Sequence, residues 1–213
     1  MTIWISLAFS ALALSISGWT FWATMLKTGT VKMTRPTTIF FGPDRSPDEK
    51  SAKVYLRFLL YSTSRRGRVV ESMFARVHSA ESLQNFPIWV YGNKDLARGS
   101  GIFVGPEGVA ANHHFLLPKN VSGFKFKAGK NRIEIVAQLV GDRSEISLGE
   151  YSVVISDDQA SQLSSADAGI YFDWGGESKD YVGWVEAKPE AASLPPFTPA
   201  LLAKMMQEIE GKK

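Results

Sequence analysis

FKFKAGKNRIEIVAQLV, residues 124–140, decides the fold class. Ile133, Ile135, Ala137 and Leu139 alternate with Arg132, Glu134 and Gln138, the two-residue period of a strand with one face buried. AGKN supplies turn residues, so FKFK and RIEIVAQLV are expected to pair as a hairpin, with the four apolar residues pointing inward.

Strand patterns continue on both sides. Downstream, GEYSVVIS (149–156) follows the loop GDRSE. Upstream, GIFV (101–104) and VAANHHFLL (109–117) bracket GPEG, whose Pro106 and Gly108 suit a reverse turn, so a second hairpin is expected. FPIWVYG (86–92) and KVYLRFLLYS (53–62) are further strands rich in β-branched and aromatic residues. VVESMFARVHS (69–79) is ambiguous. Val69, Val70, Met73, Phe74 and Val77 have helical spacing, whereas Val69, Met73, Ala75 and Val77 share one face of a strand. Strands on either side tip the reading to strand. Short strands every eight to twelve residues predict an all-β domain of the sandwich or barrel kind over 53–156.

Further on the rhythm changes. Ser156 and Gln159 have the spacing of a capping box at the start of a short helix. GIYFDW (169–174) and YVGWVEA (181–187) flank GGESKD and read as a late aromatic hairpin, so 157–190 forms an extension. LPPFTP (194–199) then acts as a semi-rigid spacer before ALLAKMMQEIEG. Thr198 fits an N-cap, and Leu201, Leu202, Met205, Met206 and Ile209 form one apolar face over 191–213. Its methionines suit a partner's groove.

At the other end, residues 3–26 carry no charge before Lys27. About 24 residues at roughly 1.5 Å each reach about 36 Å, enough for a hydrocarbon core of about 30 Å. Trp4, Trp19 and Trp22 stand where interfacial indoles are expected. A signal peptide would carry a basic start, a shorter apolar run and a small-residue cleavage site, and the bulky GWTFWATMLK fits none of these. A transmembrane helix is the expectation. Ser6, Ser10, Ala13, Ser17, Thr20 and Thr24 follow spacings of four and three, which draw a stripe suited to close helix packing and to a homo-oligomer. Ser and Thr that bond back to their own helix would produce the same stripe without a partner.

Charge is uneven. Lys27 to Val70 holds ten basic and three acidic residues, +7, while the rest of the chain is −4. A basic segment beside the span favours an anionic membrane surface over nucleic acid as its partner. Residues 27–52, broken by Pro36, Pro43 and Pro47, read as a basic tether in which only TTIFF (37–41) forms a strand, at a sheet edge. Lys27, Lys32 and Arg35 put the domain in the cytoplasm by the positive-inside rule, at the inner membrane of a bacterium. There is no cysteine, so disulfides and thiolate metal sites are excluded, in keeping with a reducing compartment.

YLRFLLYSTSRRGRVVESMF, IWVYG, GIFVGPEGV, NHHFLLP and FKAGKNRIEIVAQLVGD together resemble uncharacterised bacterial single-pass membrane proteins. The strand rhythm resembles immunoglobulin-like β-sandwiches, although the Cys…Trp…Cys core pattern is missing. The resemblance implies architecture and no activity.

Chemistry-bearing motifs are sparse. GGES resembles the GG[DE]EF signature of diguanylate cyclases, but Ser178 and Lys179 replace its acid and aromatic, and a turn using two glycines at positive φ is the better reading. RGSGIFVG lacks the helix a dinucleotide site requires. His113 and His114 point to opposite strand faces and cannot share a metal. No catalytic residue, metal site or cofactor is expected. The late-hairpin aromatics Tyr171, Trp174, Tyr181 and Trp184 offer a ligand or partner surface, to which Leu202, Met205 and Met206 add. The expected function is a membrane-anchored interaction or assembly module without catalysis, its partner another membrane or membrane-associated protein. The alternative is a tethered module binding a sugar or peptide on the aromatic hairpin.

Overall fold

The computed structural model describes residues 2–44, 52–79, 82–118, 121, 124–163 and 168–187. The proposed helix over 200–211 and its spacer lie outside these residues.

An N-terminal helix, α1 (Thr2–Phe21), runs into a π-helical turn, Trp22–Leu26, closed by Lys27 N–H donating to the Trp22 carbonyl at 2.9 Å. Together Ile3–Leu26 gives 24 residues of mean hydropathy 1.5, long and apolar enough to cross a membrane, with none of its most apolar window buried against the domain. The described Ser and Thr hydroxyls largely bond back along the helix. Those of Ser10, Thr20 and Thr24 donate to the carbonyls of Ser6, Ile16 and Thr20 at 2.7–2.9 Å.

After α1 the structure is almost entirely antiparallel β. One eight-stranded sheet contains β1 (Val31–Met33), β2 (Thr38–Pro43), β3 (Ala52–Ser62), β6 (Ile88–Gly92), β7 (Ala97–Arg98), β9 (Val109–Leu116), β12 (Ala168–Gly175) and β13 (Asp180–Ala187). Its order is β13-β12-β2-β3-β9-β6-β7, with β1 paired to the end of β3. The second sheet holds β4 (Arg68–Ser79), β5 (Ser82–Phe86), β8 (Ile102–Val104), β10 (Gly129–Leu139) and β11 (Ile146–Ile155), ordered β11-β10-β4-β5 with β8 on β4.

The inner faces share one apolar core. Leu56, Leu60, Phe41, Phe115, Ile170 and Phe172 come from the large sheet, and Val70, Met73, Val77, Ile133, Ile135 and Leu139 from the small one. β10 behaves as its alternation demands, since Ile133, Ile135, Ala137 and Leu139 are all fully buried. Residues 69–79 are strand. The ambiguity resolves because β4 lies between β10 and β5 and pairs with both.

Three local expectations need correction. First, TTIFF is no edge strand. β2 sits between β12 and β3, so Ile39 and Phe41 are fully buried, and β1 and β2 run end to end along β3. Residues 31–43, read as tether, are therefore part of the sheet. Second, GIFV and VAANHHFLL do not pair. β8 joins β4 while β9 joins β3 and β6, so the GPEG turn carries the chain from one sheet to the other. Third, FKFK is not a strand. Phe124 and Phe126 instead turn into the core, where Phe126 stacks on Phe41 at 4.4 Å. The fully buried Asn131 holds that loop, donating to the carbonyls of Lys127 and Gly129 and accepting from Ser79 Oγ at 2.6 Å.

The short helix α2 (Asp157–Leu163) starts with the expected capping box. Gln159 N–H donates to Ser156 Oγ at 3.2 Å, and Ser156 N–H donates to Gln159 Oε1 at 2.9 Å. The Gln159 side-chain amide also donates to the Gly183 carbonyl on β13, which laps α2 over the end strand of the large sheet. β12 and β13 form the expected hairpin. In its turn the positive φ of 53° belongs to Lys179 and not to the two glycines.

Candidate binding face on the outer side of the large sheet

Strand alternation divides the four predicted hairpin aromatics. Tyr171 and Trp184 pair across the ladder on the outer face, whereas Trp174 and Tyr181, each three residues away, pair on the inner side. The inner pair has structural partners. Arg35 lies 3.8 Å above the Trp174 ring, and Tyr181 OH donates to the Pro36 carbonyl at 2.8 Å. Burial, reinforced by Tyr151, holds the Tyr181 phenol well above its ordinary range, so it stays a donor. These two residues lock the late hairpin onto the segment joining β1 and β2, and a ligand surface cannot be assigned to all four aromatics.

The outer pair belongs to a longer row. In register across the sheet lie Trp184, Tyr171, Phe40, Tyr55, His114 and Val90, one from each of six successive strands. Trp184 stacks on Tyr171 at 4.8 Å, Tyr171 meets Phe40 at 4.6 Å, and Tyr55 meets His114 at 4.9 Å. Phe40 can lie flat because its ring crosses Gly42 and Gly169. A Cβ on either glycine would collide with that ring.

Polar groups border the row. Asp173 accepts from Thr38 Oγ1 at 2.9 Å and from Trp184 Nε1 at 2.8 Å. Asn112 Oδ1 accepts from Tyr55 OH at 3.1 Å and from Arg57 at 3.3 Å. Lys53 pairs with Asp44 at 3.4 Å. Between these, Phe40, Pro43, Lys53, Tyr55, Asn112, His114 and Tyr171 line a shallow cavity of about 340 Å³, within the size range of small-ligand pockets. Burial pushes the His114 imidazole down to about 4, with Lys53 adding to the effect and Asp44 opposing it. His114 is thus neutral at pH 7, and among the described residues its buried Nδ1 has no hydrogen-bond partner. An unmet buried polar atom beside a cavity is a group that a ligand can satisfy.

The adjacent His113 points the other way and is core. It is fully buried, stacks on Phe58 at 4.2 Å and accepts from Trp89 Nε1 at 3.1 Å. Burial, with His114 beside it, pushes its imidazole down to about 3. Among the described residues no three His, Asp or Glu side chains gather into a metal-binding group.

Sequence reasoning found Tyr171 and Trp184 but missed Phe40, Lys53, Tyr55, Asn112 and His114. The signal was present in the parity of each strand, since Tyr55 alternates with Val54 and Leu56, and His114 with His113 and Phe115. Strand order, which brings those parities into one row, was not. Leu202, Met205 and Met206 lie outside the described residues. The helix stripe Ser6, Ser10, Ala13, Ser17, Thr20 and Thr24 lies on α1 and its π-helical turn.

Compared with known protein families and with curated proteins, the sequence matches none. The class of molecule that fold and face define is a two-sheet antiparallel β-domain behind an apolar N-terminal helix.

Proposed function

We propose that this protein is a non-catalytic binding module, an immunoglobulin-like sandwich held at the inner membrane by one spanning helix, with its domain in the cytoplasm. The outer row from Trp184 to His114 carries the reading. Large aromatics on the face turned away from the inter-sheet core, bordered by Arg57, Asp173 and Asn112, match the aromatic and arginine enrichment of protein-binding surfaces. Trp184 is 47% exposed and Val182, beside it on β13, is 60% exposed. Another membrane or membrane-associated protein is the partner this face suits best. A second reading rests on the cavity, where the free His114 Nδ1 and the Phe40 and Tyr171 rings suit a short peptide segment or a sugar.

The test uses a photo-crosslinking side chain placed in the full-length protein at Tyr55 or Trp184, and at Leu83 or Val154 on the small sheet as controls. One partner should be captured from the first two positions only, and Trp184→Ala should weaken its binding by roughly 1 kcal/mol or more. Equal capture from all four positions, or capture only from Leu83 or Val154, would remove function from this face.

A further inference from the structure

The end of the domain nearest α1 carries a second surface, distinct from the outer row. Val69 and Phe103 are paired across β4 and β8, and Val140 N–H donates to the Val69 carbonyl at 3.0 Å. All three apolar side chains stand out from the protein, 38%, 58% and 53% exposed respectively. Together with Thr28, Arg66, Arg68 and Asp142 they line an open groove of about 390 Å³. Arg68 ties this surface to the chain leaving α1, since its Nη1 donates to the Gly29 carbonyl at 2.9 Å. Its Nη2 pairs with Asp142 at 2.7 Å, which neutralises the acid in the lining. Arg65 and Arg66 are exposed.

Chain length sets where this surface can go. From Leu26 to Gly29 is three residues, at most about 11 Å of extended chain, and Gly29 is fastened to the domain. If α1 spans the bilayer, the groove must lie within reach of the headgroups.

We propose that the Val69, Phe103 and Val140 edge docks on the anionic leaflet surface, with apolar side chains entering the headgroup boundary and Arg66 meeting lipid phosphate. The chemistry is that of interfacial anchoring, modest apolar area combined with cationic attraction to anionic lipid. Docking would fix the tilt of the domain and turn the outer row in one direction. This inference rests on the spanning reading of α1, and the experiment separates the two.

The chain has no cysteine, so single substitutions give unique spin-label sites in the full-length protein. Labels at Ala13→Cys, Phe103→Cys, Val140→Cys and Val154→Cys would be read for depth in vesicles of phosphatidylcholine, with and without phosphatidylglycerol. The expected result places position 13 in the hydrocarbon, 103 and 140 at headgroup depth when phosphatidylglycerol is present, and 154 in water. Arg66→Gln should lower the docked-to-free ratio at 103 about fivefold, corresponding to one lost cationic contact. A label at 13 in water would overturn the span and this proposal with it. A label at 13 in hydrocarbon with 103 and 140 in water would overturn docking alone. Dipolar broadening at 103 that ignores lipid charge would assign the edge to a second copy of the chain and also overturn the proposal.

Discussion

Two neighbouring histidines show how one residue step decides a role. His113 enters the core and hydrogen-bonds Trp89, while His114 faces the outer cavity. Both are held neutral, with pKa values pushed down to about 3 and about 4 by burial. Unfolding returns each to an ordinary value near 6.5, so the unfolded chain binds more protons below that pH. Their contribution to stability is present above about pH 6.5 and is lost as pH falls through about 4 for His114 and about 3 for His113. The fully buried His113 should cost about 1.4 kcal/mol per pH unit inside its window, and the partly exposed His114 less. His113→Phe should flatten the acid limb of a melting-temperature profile by close to one proton, although it removes the acceptor of the Trp89 indole. An unchanged slope would mean that other groups drive the acid transition. The alternation around these residues was readable in advance, but the Trp89 contact was not, because β6 and β9 meet only through pairing that no local pattern encodes.

Among the elements, α1 separates two explanations of its small-residue stripe. Ser10, Thr20 and Thr24 already donate to their own helix carbonyls, so any helix–helix association there depends on close approach and not on hydroxyl donors. Ser10→Ala with Ser17→Ala should therefore leave cross-linking in the membrane unchanged. Ser10→Leu with Ser17→Leu should reduce it by about 0.6 to 2 kcal/mol. Equal yields from all variants would show the stripe to be incidental. Local signals elsewhere were faithful where the interaction itself is local. The Ser156–Gln159 capping box, the β12–β13 hairpin and the inward face of β10 follow from residues close in sequence. The failures have the opposite cause. The prolines around β2 suggest an edge because they mark only its ends, and nothing in TTIFF announces that β12, some 130 residues later, pairs with its far side. The GPEG turn looks the same whether its strands pair with each other or leave for different sheets.

For the whole molecule, orientation decides which compartment sees the outer row. Lys27, Lys32 and Arg35 follow the apolar helix. The fold brings Arg65 and Arg66 to the same end, because Thr63 N–H donates to the Thr30 carbonyl at 2.9 Å and Arg68 holds Gly29. Arg35 itself is engaged with Trp174, so the positive charge flanking the helix comes from both the exit segment and the following β3–β4 turn. Translocating that end would carry all of it across the membrane, and the positive-inside bias opposes this. The full-length protein should therefore resist carbonate extraction, keep its N-terminal residues by intact mass, and support a cytoplasm-active reporter fused after Lys213. Neutralising Lys27, Arg65 and Arg66 while adding lysines after Met1 should shift part of the population to the opposite orientation. Release by carbonate would show that the helix does not span, loss of the N-terminal residues would make it a cleaved signal, and digestion of the domain by protease outside intact cells would reverse the orientation.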